Sequence, residues 1–261
     1  MTNEKWMAEL SGSLNDLECL QRWYTSESVR VFPHEGTWLL GGTFLQGYSS
    51  ADEVTKVAEA KLELLSAAAL IESSSEPLKV EVIGAAHQNA SGKLTIHYTI
   101  ISTSRSCVSV RCLGSETPSL PQRALVVAES DYHLDMALRL WGDSSKTWPR
   151  LYRIVEDICE SLKSNKEDNK DDIQILDYFG LGDQVDNYRR FRYSACEAGV
   201  AGKDSRHAEG RNNPPKKVAM LENPIMHHRE AVSLVGLILF KAIQKKWKEM
   251  EESAAPAADI E

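Results

Sequence analysis

The chain has no CxxC pair, no nucleophile elbow and no phosphate-cradling glycine loop, and each absence removes a class of chemistry. Its five cysteines are Cys19, Cys107, Cys112, Cys159 and Cys196. Cys107 and Cys112 lie an odd number of positions apart in an expected strand, which turns them to opposite faces and disfavours a bridge. Reduced thiols of a cytoplasmic protein are the expectation. Seven histidines are scattered without partners at zinc spacing. His227 and His228 are adjacent where a helix should start, so they point about 100° apart around its axis and are poorly placed to share a metal. No G-x-S-x-G occurs, which sets aside the α/β-hydrolase arrangement. Gly41-Gly42 has no Lys-Ser/Thr or G-x-G-x-x-G context and reads as a bulge or tight bend. A Cys196–His207 nucleophile pair is disfavoured, because Cys196 falls on the buried side of its helix. No metal and no cofactor are expected.

Long apolar runs are also missing. The most apolar stretch, Ala231 to Phe240, is too short to span a bilayer and is ended by Lys241. Met1 to Leu10 carries interspersed acids and no apolar signal core. A soluble, cytoplasmic protein without a membrane partner is the expectation.

What is present suits a packed fold. The 261 residues are 42% hydrophobic and 26% charged, enough for one large domain or two ordinary ones. Lys5 to Ser11 reads as a strand and Leu14 to Tyr24 as an amphipathic helix capped by Ser13. Val29 to Phe32 and Thr37 to Leu45 read as strands around Pro33-His34-Glu35-Gly36. Ser50 to Ala69 is a helix with acids in its first turn and one apolar stripe. Leu78 to Ala85, Lys93 to Thr103 and Cys107 to Leu113 follow as strands, with Gln88 to Gly92 a hairpin turn and His97 on the polar face.

Composition changes to Gly, Ser, Thr and Pro around Gly114 to Pro121, and strand patterning ends there. Helices are expected over Ser130 to Trp141, Thr147 to Leu162, Gln184 to Ala198 and from about Pro224 to Met250, with a hydrophobic plug or short helix at Ile173 to Phe179. Ser164 to Asp172, with no apolar residue, should be a loop. The fold class is therefore α+β: an N-terminal mixed sheet with two helices over residues 1–118, then an all-α domain of four or five helices over residues 119–250. Residues 251–261 should be a disordered acidic tail. The nearly all-apolar Ala231 to Ile243 segment needs covering on more than one side, which predicts core burial with a share at a homodimer interface.

The densest positive charge lies between Arg189 and Lys217. Eight Lys/Arg stand there against three acids, a local +5 in a chain of net −8. Such a patch suits an anionic partner, RNA or an acidic protein, and the candidate contacts are Arg189, Arg190, Arg192, Lys203 and Arg206. If the three helix arginines are exposed, replacing them should leave stability nearly unchanged. Arg206 and His207 could instead cap the Gln184 helix or bind Asp204, Glu156 or Asp157, and Glu156, between apolar positions of its helix, reads as the leading structural carboxylate. Glu230 reads as an acid matching the N-terminal dipole of the last helix.

The segments ALRLWG (137–142), W-x-x-LYRIVEDI (148–158), F-x-x-S-A…GKDSRHA (191–208) and P-x-M-x-x-x-EA (224–231) resemble an uncharacterised group of bacterial and phage proteins. More loosely, the C-terminal half resembles HEPN-like helical domains. That resemblance implies a basic helix ending in an Arg…His element, which in catalytic members meets its copy in a dimer and cleaves RNA through the 2′-hydroxyl without metal. Here the element is Arg206-His207, adjacent where the family has Arg-x4–6-His. His207 would move the proton and Arg206 would hold the strained phosphate. The leading expectation is a cytoplasmic binding or scaffolding protein with an anion- or RNA-binding segment, in bacterial stress or phage defence by analogy. The alternatives are a divergent endoribonuclease using Arg206 and His207, and a structural subunit docking an acidic protein.

Overall fold

The computed structural model describes residues 5–73, 78–89, 93–98, 118–163, 176–196 and 216–254. The chain divides into two compact units, Met1–Gln122 and Arg123–Glu261, and the architecture is α+β as the patterning implies.

In the first unit, β1 (Lys5–Gly12) is the central strand of a five-stranded sheet. Its companions are β2 (Arg30–His34), β3 (Thr37–Gly41), β4 (Val80–Gln88) and β5 (Leu94–Tyr98), in the order β2-β3-β1-β4-β5. Helix α1 (Leu14–Trp23) joins β1 to β2, and α2 (Ala51–Ser73) joins β3 to β4. Each helical connection skips one strand, so the chain forms two interlocked split βαβ units, the ferredoxin-like connectivity, with β5 added at the β4 edge. The sheet expected to be mixed is antiparallel in all four described pairings. The reason is topological: strands joined through a helix run parallel, but an oppositely running strand lies between them. The expected Cys107 to Leu113 strand, with Cys107 and Cys112, lies outside the described residues.

Local chemistry sets these elements. Glu35 and Gly36 both have positive φ (48° and 85°), as a two-residue hairpin turn requires, and they fix the β2–β3 register. Ser13 caps α1 by accepting from the Asp16 N–H. Ser50 caps α2 by accepting the Glu53 N–H, and the Glu53 carboxylate accepts from the Ser50 hydroxyl and the Ser49 N–H. The buried Tyr24 hydroxyl donates to the Leu65 carbonyl at 2.9 Å, tying the end of α1 to α2.

Register separates the two faces of the sheet. Val31, Leu40, Ala8 and Ala85 make one row, and Ala85 packs with Val54 of α2, so this face carries the helices. The opposite face has the rows Arg30–Gly41–Met7–Ala86–Ile96 and Phe32–Leu39–Glu9–Gly84–Tyr98. Met7, Leu39 and Ala86 form its apolar centre, with Phe32, Leu94 and Ile96 packed against them. Beside them Glu9 is 5% exposed, and its Oε2 has no hydrogen-bond partner. Burial raises its pKa above the usual carboxylate range.

The second unit has only helices as its regular elements among the described residues. Its elements are α3 (Leu120–Ser130), α4 (Tyr132–Gly142), α5 (Trp148–Lys163), α6 (Val185–Cys196), the one-turn α7 (Lys216–Ala219) and α8 (His228–Ala254). Helix α3 is additional to the expected set. It is short, follows a Ser/Pro-rich lead and carries the β-branched pair Val126-Val127, so its local signal is weak. Helix α8 is the core element, burying Ala231, Leu234, Val235, Ile238, Leu239, Ala242 and Ile243. Gly236 lies against Trp141, where a Cβ would come 2.8 Å from Cη2. Among the described residues no helix is long and apolar enough to cross a membrane.

Candidate functional site

The basic helix α6 comes first, because charge points to it. Its buried face is Tyr188, Phe191, Ser194 and Ala195, and Phe191 stacks with Trp148 and Tyr152 of α5. Arg189 pairs with Asp186 at 2.8 Å. The Arg192 guanidinium lies 6.0 Å from the centroid of the Tyr188 ring. Arg190 is only 16% exposed; it donates to the Ile225 carbonyl at 2.9 Å and to Glu230 at 3.2 Å. Ser194 accepts the Met226 N–H at 2.8 Å in the same contact. Helix α6 thus clamps the chain that leads into α8. Glu230 also accepts the His227 N–H at 2.9 Å, and that bond, with the Arg190 charge, holds its carboxyl below the usual range. Glu230 caps the helix as expected, but Arg190 is a structural residue and not a displayed cation. Lys203, Arg206 and His207 lie outside the described residues.

Glu156 does not occupy the buried position on α5. It is 37% exposed and lies 4.0 Å from Arg153. The buried acid is its neighbour Asp157, 1% exposed, with Arg153 at 2.8 Å and His133 at 3.9 Å. The apolar stripe runs through Leu151, Ile154 and Ile158, and position 157 shares that face one turn after 154. A second buried acid, Asp131, caps α4 through the His133 and Leu134 N–H groups. It also accepts from Ser161 at 2.7 Å and pairs with Lys246 at 3.1 Å. Burial alone would raise its pKa, yet the bonds from Ser161 and Leu134 and the Lys246 charge bring it below the usual range. These contacts join α4, α5 and α8, and their chemistry is cohesive. Among the described residues no three of His, Cys, Asp and Glu gather as a metal site needs.

A different arrangement occurs on the sheet face opposite the helices. There a cleft of about 650 Å³ is lined by Lys5, Met7, Glu27, Arg30, Phe32 and Gly41 and walled by residues 42, 43 and 45–48. The register explains it. Arg30 and Phe32 stand two apart on β2 and share a face, and Arg30 is paired with Gly41. Gly41 has no side chain, and Met7 and Phe32 close over it; a Cβ there would lie 3.3 Å from Met7 Cγ and 3.5 Å from Phe32 Cε1. The wall is pinned by the Thr43 N–H donating to the Glu27 carbonyl at 3.1 Å. A Cβ on Gly42 would meet the Ser28 carbonyl oxygen at 2.0 Å, so only glycine lets the wall pass there.

The cleft is lined by two cations, Lys5 and Arg30, and one acid, Glu27. The Arg30 guanidinium lies over the Phe32 ring, 4.9 Å from its centroid, and neither Arg30 nor Lys5 makes an ion pair among the described residues. A planar cation on an aromatic ring, above an apolar floor, suits an anion that carries a flat ring of its own. Sequence reading passed over this site because two isolated cations in separate strands raise no local charge density. The available signal was the alternation of Arg30 and Phe32 beside a hairpin turn. Family models, curated proteins and solved structures compared with this chain give no match.

Proposed function

We propose that this protein is a non-catalytic RNA-binding protein, and that single-stranded RNA is held in the cleft of its N-terminal unit and not on α6. The reading rests on one contrast: Arg30 sits over Phe32 in an open cleft and makes no ion pair among the described residues, whereas Arg189 and Arg190 are spent on Asp186, Ile225 and Glu230. Bases stack on aromatic side chains and on guanidinium planes whatever their sequence, and each stacked base contributes about 1–3 kcal/mol. The connectivity of the sheet supplies no further support, since this arrangement hosts many unrelated functions.

Fluorescence anisotropy with a labelled oligouridine tests it. Arg30→Glu is expected to weaken binding by more than about tenfold through loss of the phosphate contact and repulsion, while Arg189→Ala leaves it within about twofold. The opposite ranking would return the site to the basic helix, and shortening of the RNA during the assay would favour the ribonuclease reading of Arg206 and His207.

A further inference from the structure

We infer that the RNA held in the cleft is read for guanine, the Glu27 carboxylate accepting from the Watson–Crick edge of the base, an inference that rests on the RNA-binding reading above. Among the described lining residues Glu27 is the only acid. Its carboxylate makes no ion pair and no hydrogen bond with the described residues. A bare carboxylate repels phosphates, so it suits an RNA cleft only where a base, and not the backbone, comes against it. The fold fixes where that is. Glu27 stands in the turn between α1 and β2, closed by the Thr25–Arg30 bridge. Ser26 ties the same turn, its hydroxyl donating to the Val29 carbonyl and accepting the Val29 N–H, both at 3.2 Å. The Glu27 carbonyl accepts the Thr43 N–H at 3.1 Å, whereas Arg30 is paired with Gly41. Glu27 therefore meets the wall two residues beyond Arg30, about 7 Å at the rise of an extended chain. A base stacked on the Arg30–Phe32 pair has its edge within reach of that carboxylate.

The chemistry of the acceptor selects the base. An ionised carboxylate offers two oxygens and no donor. Guanine presents two adjacent donors on its Watson–Crick edge, the N1–H and the 2-amino group, and so satisfies both oxygens at once in a bidentate pair. Uracil has one donor there, flanked by two carbonyl acceptors. Adenine and cytosine place an amino group beside a ring nitrogen that is itself an acceptor, and that nitrogen faces the second carboxylate oxygen. Stacking on Arg30 and Phe32 is tolerant of sequence, so the discrimination falls to Glu27.

Fluorescence anisotropy of the full chain tests the inference, with labelled uridine decamers that carry guanosine, inosine, adenosine or cytidine at one central position. The guanosine decamer is expected to bind about tenfold more tightly than the all-uridine one. Inosine lacks the 2-amino group and should lose most of that gain. Glu27→Gln exchanges one acceptor oxygen for a donor amide, so the guanosine-to-uridine affinity ratio should fall to about one. Glu27 is exposed in its turn, so the substitution leaves the core intact. Equal binding of all decamers, or a preference for another base, by a protein that Arg30→Glu still weakens overturns the inference while the RNA reading stands. A guanosine preference that survives Glu27→Gln also overturns it, because another group then reads the base. If no decamer binds, both readings fall.

Discussion

Asp131→Ala is expected to lower the stability of the helical unit by about 3–5 kcal/mol, the cost of removing one partner from a buried, hydrogen-bonded ion pair together with a helix cap. One side chain caps α4, accepts from Ser161 on α5 and pairs with Lys246 on α8. Its loss strands a buried hydroxyl and an ammonium as well. Asp131→Asn keeps the cap geometry without the charge, so its loss should be smaller. The pH dependence has a definite sign. The folded-state pKa is depressed, so this stabilisation is present above the ordinary aspartate range and is lost as pH falls through the folded value. Chemical denaturation of wild type and Asp131→Asn should show a gap at pH 7 that closes under strongly acidic conditions. A constant gap would mean that the carboxylate charge contributes nothing there.

Arg190→Met should cost about 2–3 kcal/mol, while Arg189→Ala on the same helix stays within about 0.5 kcal/mol. The difference follows from what each guanidinium holds. Arg190 closes the contact between α6 and the start of α8 through the Ile225 carbonyl and Glu230, whereas Arg189 pairs within its own helix with the exposed Asp186. Lysine should rescue poorly, because one ammonium cannot reproduce the fork that reaches both acceptors. Thermal unfolding monitored at 222 nm, the ordinary helix signal, distinguishes the two positions; equal losses would show that the clamp does not hold α8.

Much of the fold was legible because its causes are local. The Pro33 to Gly36 turn, the Ser13 and Ser50 caps and the apolar stripes of α2, α5 and α8 are each written within a few neighbouring residues. The candidate site was not legible, and the reasons are distance and register. Arg190 meets partners 35 and 40 positions away, so its sequence neighbourhood advertises a cation that the fold has already neutralised. Glu156 and Asp157 differ only in helical phase, and small differences in phase decide which carboxylate is buried. The cleft needs β2, β3 and β1 in one register before Arg30, Gly41 and Met7 share one row. Charge density in the sequence therefore pointed to α6, where Arg189 and Arg190 are already paired, while Arg30 on the sheet makes no ion pair among the described residues.

The most direct measurement is photo-cross-linking of the intact protein to RNA containing 4-thiouridine, followed by mass spectrometry of the adducts. Binding in the cleft predicts cross-links on peptides spanning residues 5–7, 30–34 and 41–48, lost in Arg30→Glu. Cross-links confined to residues 185–217, unaffected by that substitution, would contradict it.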